Sequence, residues 1–341
     1  MDRSNITVGL IGAGRIGTSH ARVIAERVPG VTLACVADPR PEAARALADN
    51  VRARAVSNPA ELLEDPDIDA VVIAASSEAH TDLIVAAAEA GKAVFCEKPA
   101  AMTLADADRA VGAAEAAGVA LQVGFNRRFA RDFRAAHDAI SAGAIGTPQL
   151  MRSLTRDPGL ANPAGVPPWT IFLQTLIHDF DTLLWLNPRA EAVEVYATAD
   201  ALVAPGFKDA GLLDTAVVVI TFDNGARAVA EASFSARYGY DVRGEVFGSE
   251  GMVSAGDGAQ TSMVLRNTSG LHQETARSDV ELLLDAYTAE FEEFAAAIRE
   301  QRDPYVTGKD ARRALAIALA CIDSVQKHAP VPVPCGSAAT V

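Results

Sequence analysis

The stretch Ile6-Thr7-Val8-Gly9-Leu10-Ile11 runs directly into Gly12-Ala13-Gly14-Arg15-Ile16-Gly17. A short, apolar, β-branched run reads as a strand. The G-x-G-x-x-G that follows opens a helix over residues 16–26. Each glycine has its own task in such a turn. Gly12 permits the tight bend, Gly14 lets a pyrophosphate approach the main chain, and Gly17 lets helix and strand pack closely. The helix N-terminus, with Arg15 and Ile16 in its first turn, offers unpaired N–H groups and a positive dipole to phosphates. Asp38 closes a second strand over residues 31–37, where a carboxylate binds the ribose hydroxyls of NAD and repels a 2′-phosphate. NAD is therefore expected. NADP is the less favoured alternative, kept open by Arg40, a residue type that pairs with phosphate.

The rhythm continues outward from that turn. Strands are expected at 54–57, 69–75, 93–96 and 119–124, separated by helices at 41–49, 78–90 and 104–117. The run Asp69-Ala-Val-Val-Ile-Ala-Ala75 is nearly all apolar, as a strand covered on both faces must be. Such β-α-β alternation predicts a parallel, doubly wound sheet, a Rossmann domain over residues 1–125. Beyond Pro148 strands follow one another without helices, at 149–155, 192–198, 216–223, 226–235, 242–248 and 263–267. Asp223-Asn224-Gly225 reads as a hairpin turn. Residues 126–341 are thus expected to form an α+β domain with a mostly antiparallel sheet. Helices are expected at 175–185, 284–299 and 309–328, and Pro330 to Pro334 as an extended tail.

The chain has 341 residues with 30 Lys and Arg against 44 Asp and Glu, a formal net charge of −14. That balance argues against nucleic acid and against anionic membranes as partners. It gives a mild pull toward cationic substrates such as aminocyclitols. No apolar run approaches the roughly 20 residues needed to span a bilayer. Cys35, Cys96, Cys321 and Cys335 show neither C-x-x-C nor zinc spacing, so reduced thiols in a cytoplasm are expected. The sequence opens straight into a strand, with no apolar leader segment.

Two clusters carry candidate chemistry. Glu97-Lys98-Pro99 follows a strand at the carboxyl edge of the parallel sheet, where ligands bind in open α/β folds. His178-Asp179-Phe180-Asp181 lies on the helix at 175–185. A lysine and a histidine together suit alcohol oxidation without a metal, because a neutral imidazole accepts a proton near its operating pH. No metal site is expected, since His178, Asp179 and Asp181 do not converge from one helix.

With these motifs in place the chain resembles the Gfo/Idh/MocA family of NAD(P)-dependent sugar and cyclitol dehydrogenases over nearly its whole length. The matching features are GAGRIG (12–17), Asp38, CEKPAA (96–101), GFNRRF (124–129), HDFD (178–181), FGSEGM (247–252) and VTGKDARRALAIALACIDS (306–324). The resemblance implies a Rossmann domain and a second domain with an open-faced sheet that often makes dimer or tetramer contacts. It implies that Lys98 orients the hydroxyl being oxidised and that His178 takes its proton. Hydride then passes to nicotinamide. In inositol dehydrogenases of this family the position four before the histidine is usually aspartate; here it is Gln174, placed on the same face of an α-helix, which departs from plain myo-inositol specificity.

Further cofactor contacts are expected at Ser76, His80, Glu97 and Lys98. Further substrate contacts are expected at Asn126, Arg127, Asp157, Trp169, Gln174 and Tyr240, each with a packing role as the alternative. The function expected is oxidation of a secondary hydroxyl of a cyclitol, sugar or glycoside by a homo-oligomeric enzyme. The alternatives are a ketoreductase running in reverse, a non-catalytic NAD- or sugar-sensing regulator, and a hydride carrier with tightly bound NADP.

Overall fold

The computed structural model describes residues 5–334, which leaves Cys335 outside the described residues. Contacts divide the chain into two compact units. The first holds residues 1–129 and 285–312, and the second residues 130–284 and 313–341. This differs from the expected division at 125/126. The four residues after it stay with the first unit, and a helical segment near the C-terminus returns to it. Local pattern could not show that return, because it depends on what the segment packs against.

In the first unit β1 (Ile6–Ile11), β2 (Val31–Ala37), β3 (Arg54–Val56), β4 (Ala70–Ile73), β5 (Ala93–Cys96) and β6 (Leu121–Val123) form one sheet in the order β3-β2-β1-β4-β5-β6. Every pairing is parallel. The strands alternate with α1 (Arg15–Arg27), α2 (Pro41–Val51), α3 (Pro59–Leu63), α4 (Ser77–Glu89) and α5 (Leu104–Ala117). Helix ends follow local chemistry. Pro41 and Pro59 sit in first turns, and the Thr103 hydroxyl accepts the Asp106 N–H at 3.1 Å. Gly118 ends α5 at φ +65°, a left-handed conformation that costs glycine little. Leu10, Val36, Val72 and Phe95 are fully buried, each contributing about 1.5–3 kcal/mol of apolar transfer.

The second unit contains α6 (Arg131–Ser141), β7 (Pro148–Arg156), α7 (Ile177–Trp185), β8 (Ala192–Asp200), β9 (Thr215–Phe222), β10 (Arg227–Ser233), β11 (Asp241–Gly248) and β12 (Met252–Ala255). β13 (Ala259–Asn267) and β14 (Gly270–Thr275) make a separate two-stranded sheet. Two long helices, α8 (Asp279–Glu300), which belongs to the first unit from Asp285 onward, and α9 (Gly308–Lys327), whose first residues to Arg312 do too, precede β15 (Val331–Pro332). The large sheet runs β12-β11-β7-β10-β9-β8-β15, antiparallel throughout except for the β7–β10 pair. The β9–β10 hairpin turns at Asp223–Gly225 as its sequence requires, with Gly225 at φ +87°. The proline-rich tail is extended, Val331 pairing with Val195.

One face of this sheet carries exposed apolar side chains: Leu150, Tyr196, Val217, Val219, Phe247 and Met252. Strand register explains the grouping, since Leu150 pairs with Phe247, Phe247 with Met252, and Tyr196 with Val219. Among the described residues no helix is long and apolar enough to cross a membrane.

One expectation is corrected in detail. The helix expected at 175–185 starts earlier, and Ile171–Leu176 is π-helical before α7 begins. Periodicity of apolar residues does not distinguish a π turn from an α turn over so few positions.

Candidate cofactor and catalytic site

The carboxyl ends of β1, β2, β4 and β5 bring Gly12–Gly17, Asp38, Ser76 and Lys98 to one edge of the parallel sheet. The three glycines are required for different reasons. Gly12 has φ +108°, and a Cβ there would meet the Ala74 carbonyl oxygen at 2.4 Å. A Cβ on Gly17 would meet the Gly12 oxygen at 2.0 Å. A Cβ on Gly14 would meet nothing within 4 Å. Packing among the described residues therefore does not demand glycine at 14, whereas a pyrophosphate seated on the N-terminus of α1 would. Arg15 is exposed and Ile16 half-buried in that first turn.

Asp38 is buried, and its carboxylate accepts the Ala13 N–H at 2.8 Å and the Arg40 N–H at 2.9 Å. The Arg40 guanidinium adds bonds of 3.0 and 3.3 Å. Burial alone would push this carboxyl up, but the hydrogen bonds from Arg40 and Ala13 outweigh it and hold Asp38 below the ordinary carboxylate range. Arg40 is thus engaged with the Asp38 carboxylate.

Ser76 is exposed at the N-cap of α4. His80 is 1% exposed, with Nδ1 2.8 Å from the Pro99 carbonyl and Nε2 3.1 Å from that of Ala75. It ties together two segments at this sheet edge.

Within Lys92–Ala101 every residue is buried except Lys98. Glu97 points the other way. Its Oε1 lies 2.6 Å from His20 Nε2, and its Oε2 accepts the Lys98 main-chain N–H at 3.2 Å. A Cβ on Gly124 would come within 3.3 Å of this carboxylate, so the glycine after β6 leaves it room. The Lys98–Pro99 peptide is cis. Asn126 and Arg127, expected to contact substrate, lie in a short 3-10 helix at Asn126–Phe129 and are 3% and 2% exposed. Arg128 in the same turn pairs with Asp310 at 3.1 Å.

In the second unit the π-helical turn alters the expected relation between Gln174 and His178. Four residues span less than a full turn where the main chain is π-helical, so the pair is not an ordinary i, i+4 pair on an α-helix. The outcome for access is nevertheless clear. Across Ile171–Trp185 only Gln174 and His178 escape full burial. Asp179 faces the sheet, where it accepts Ser153 Oγ at 2.5 Å and Thr155 Oγ1 at 2.6 Å. It anchors α7 to β7. Asp181 is 1% exposed.

The other candidates sit on loops. Asp157 is half-buried just beyond β7, its N–H donating to Ser233 O at 2.9 Å. Trp169 is half-buried at φ +62°, rare for a bulky residue, and stacks on Phe172 at 6.5 Å. Tyr240 is half-buried, its N–H donating to Ala276 O at 2.7 Å.

One cluster had no signal in the sequence. His20, Glu97 and Glu290 bring their side-chain heteroatoms within 4.8 Å of one another in the interior of the first unit. Glu97 is held below the ordinary range, because bonding and charge from His20 overcome burial. Glu290 is pushed well above it by burial and by the Glu97 charge. No local spacing announces a cluster drawn from α1, the end of β5 and α8.

Strand order and the glycine turn at the head of α1 define a dinucleotide-binding Rossmann domain. The oxidoreductase-family model for an NAD-binding Rossmann fold matches residues 6–125, and that family's C-terminal alpha/beta model matches residues 137–333. The chain belongs to the Gfo/Idh/MocA oxidoreductases, and it is an NAD-dependent dehydrogenase acting on CH–OH groups. It is 37% identical over 333 residues to a myo-inositol 2-dehydrogenase of Thermotoga maritima, covering 95% of this chain and 97% of that protein. It is 35% identical to the NAD(+)-dependent scyllo-inositol 2-dehydrogenase of Bacillus subtilis, covering 96% of each. A scyllo-inositol dehydrogenase from Lactobacillus casei, solved with NAD(H) and scyllo-inositol, superposes with a TM-score of 0.91. That structure is 27% identical and covers 96% of this chain and 99% of its own.

Proposed function

We propose that this enzyme oxidises a secondary ring hydroxyl of an inositol-type cyclitol. The observation that carries the reading is selective exposure. Lys98 alone is accessible across residues 92–101, and Gln174 and His178 alone across residues 171–185. Inositol dehydrogenases matching almost end to end support the substrate class.

In this reading the Gly12–Gly17 turn seats the pyrophosphate on the N-terminus of α1, and Asp38 accepts the ribose hydroxyls. NAD, when bound, takes the hydride from the carbinol carbon. Lys98 donates a hydrogen bond to the substrate oxygen and favours the developing alkoxide. His178 accepts the hydroxyl proton, so alcohol becomes ketone and the proton stays on the imidazole. Gln174 contacts a neighbouring hydroxyl without placing a charge beside the imidazolium. Asp179 accepts from Ser153 and Thr155 and so ties the helix that carries His178 to β7.

The exposed apolar face of the large sheet supports assembly as a dimer or tetramer. The buried free thiols of Cys35, Cys96 and Cys321 fit the reducing cytoplasm in which we place the enzyme.

The test is NAD reduction against a panel of inositols, aminocyclitols, hexoses and glycosides, with the Gln174→Asp variant run beside the wild type. The reading expects oxidation of an inositol, and a shift of the variant toward unsubstituted inositols. Turnover confined to hexoses or glycosides would refute the substrate class. An unchanged profile in the variant would remove Gln174 from the pocket.

A further inference from the structure

We propose that Glu290 is a positioning residue for Lys98, its carboxyl staying protonated beside the Glu97–His20 pair so that Glu97 keeps its anionic hold on the Lys98 main chain. The proposal rests on the reading of Lys98 given above.

The geometry is a short chain of contacts through the core. Glu97 is the link: one oxygen meets His20 Nε2 at 2.6 Å, the other accepts the Lys98 N–H at 3.2 Å. Glu290 closes the cluster from α8. It is 0% exposed, and among the described residues neither of its carboxyl oxygens has a hydrogen-bond partner. Its main-chain carbonyl is fixed by Gln122 Nε2 at 2.7 Å, which sets where the side chain starts. His20 is also 0% exposed and walled by rings, with Phe95, Tyr287 and Phe291 centroids at 5.8, 5.5 and 4.9 Å.

Two ionised carboxylates side by side in such buried surroundings are strongly disfavoured, with His20 the one imidazole inside the cluster. Neutralising one relieves this, and the partners decide which. Glu97 has His20, the Lys98 N–H and the charges of Lys98 and His80. Glu290 lies in the same cluster, but its carboxyl oxygens accept no hydrogen bond among the described residues, and the Glu97 charge opposes its ionisation. Glu290 therefore carries the proton, as a carboxylic acid in an apolar site does elsewhere. A neutral acid of that shape fills the space behind Glu97 without drawing His20 away. A second anion there would compete for the imidazole and loosen the main chain that presents Lys98.

Charge and packing are separated by comparing Glu290→Gln with Glu290→Ala in the intact enzyme. Glutamine reproduces the neutral acid in size, so turnover should stay within a few-fold of wild type, with an unchanged pH profile. Alanine should lower kcat about tenfold or more through a displaced Lys98, with little change in NADH affinity. Infrared spectra of the wild type at neutral pH should show a protonated-carboxyl C=O band that Glu290→Gln lacks. Absence of that band overturns the proposal whatever the kinetics. So does an alanine variant with wild-type kcat, or turnover lost on exhaustive chelation and restored by a divalent cation. If Lys98→Ala retains full turnover, the reading of the active site fails instead, while the infrared band still reports on Glu290.

Discussion

A Cβ on Gly17 would stand 2.0 Å from the carbonyl oxygen of Gly12, whereas one on Gly14 would touch no protein atom within 4 Å. The two glycines therefore answer to different partners. Gly17→Ala should destabilise the fold, because the clash is with main chain that cannot rotate away. Gly14→Ala should leave the melting temperature nearly unchanged and weaken NADH binding by about tenfold or more, since the methyl enters the phosphate cradle. Thermal denaturation and NADH fluorescence titration check both. A Gly14→Ala variant that binds NADH normally would mean that the pyrophosphate lies elsewhere.

Asp38 is held ionised by Ala13 and Arg40. Asp38→Ser should raise the ratio of kcat/KM with NADP to that with NAD, by removing the charge and freeing Arg40 for a 2′-phosphate. A ratio that does not move would show that Asp38 is not the ribose ligand.

Asp179 accepts two hydroxyls in a site with 0% exposure. Asp179→Ala should cost about 2–4 kcal/mol of stability by stranding Ser153 and Thr155. Chemical denaturation measures this loss directly. Full stability in the variant would exclude Asp179 as the anchor of α7.

Much of this was legible in the residues. Parallel strands announce themselves by continuous apolar runs, and glycines by the turns they alone permit; both signals are local. The first sheet, the phosphate turn and the hairpin at Asp223–Gly225 follow from such signals. The π-helical start of the segment carrying His178 leaves no such signal, because period alone resolves so short a turn poorly, whereas α6 carries a clear amphipathic period that the reading by strands passes over. Asp179 sits beside His178 in sequence, yet its task is set by two hydroxyls on a distant strand. His80, Asn126 and Arg127 are polar yet buried. Burial of a polar side chain depends on what packs over it, which sequence does not state. The His20–Glu97–Glu290 cluster was invisible for the same reason.

Glu290 also makes a prediction for stability against pH. Its folded value lies above the ordinary 4.5, so the folded chain keeps a proton that the unfolded chain has released. Stability should therefore fall as pH rises above about 4.5 and go on falling until the raised folded value is passed. Glu290→Gln removes this contribution. Its melting temperature relative to wild type should rise with pH above that point and show no such trend below it. A difference independent of pH would contradict a buried neutral acid.

The most direct test of the account is the rate of NAD reduction with myo- and scyllo-inositol in the wild type, Lys98→Ala and His178→Ala, with NADH binding measured alongside. The account predicts turnover of an inositol by the wild type. Each variant should lose about 10²–10⁴-fold in rate while NADH binding stays nearly intact. Wild-type turnover in either variant, or NADH binding without oxidation of any cyclitol, would contradict it.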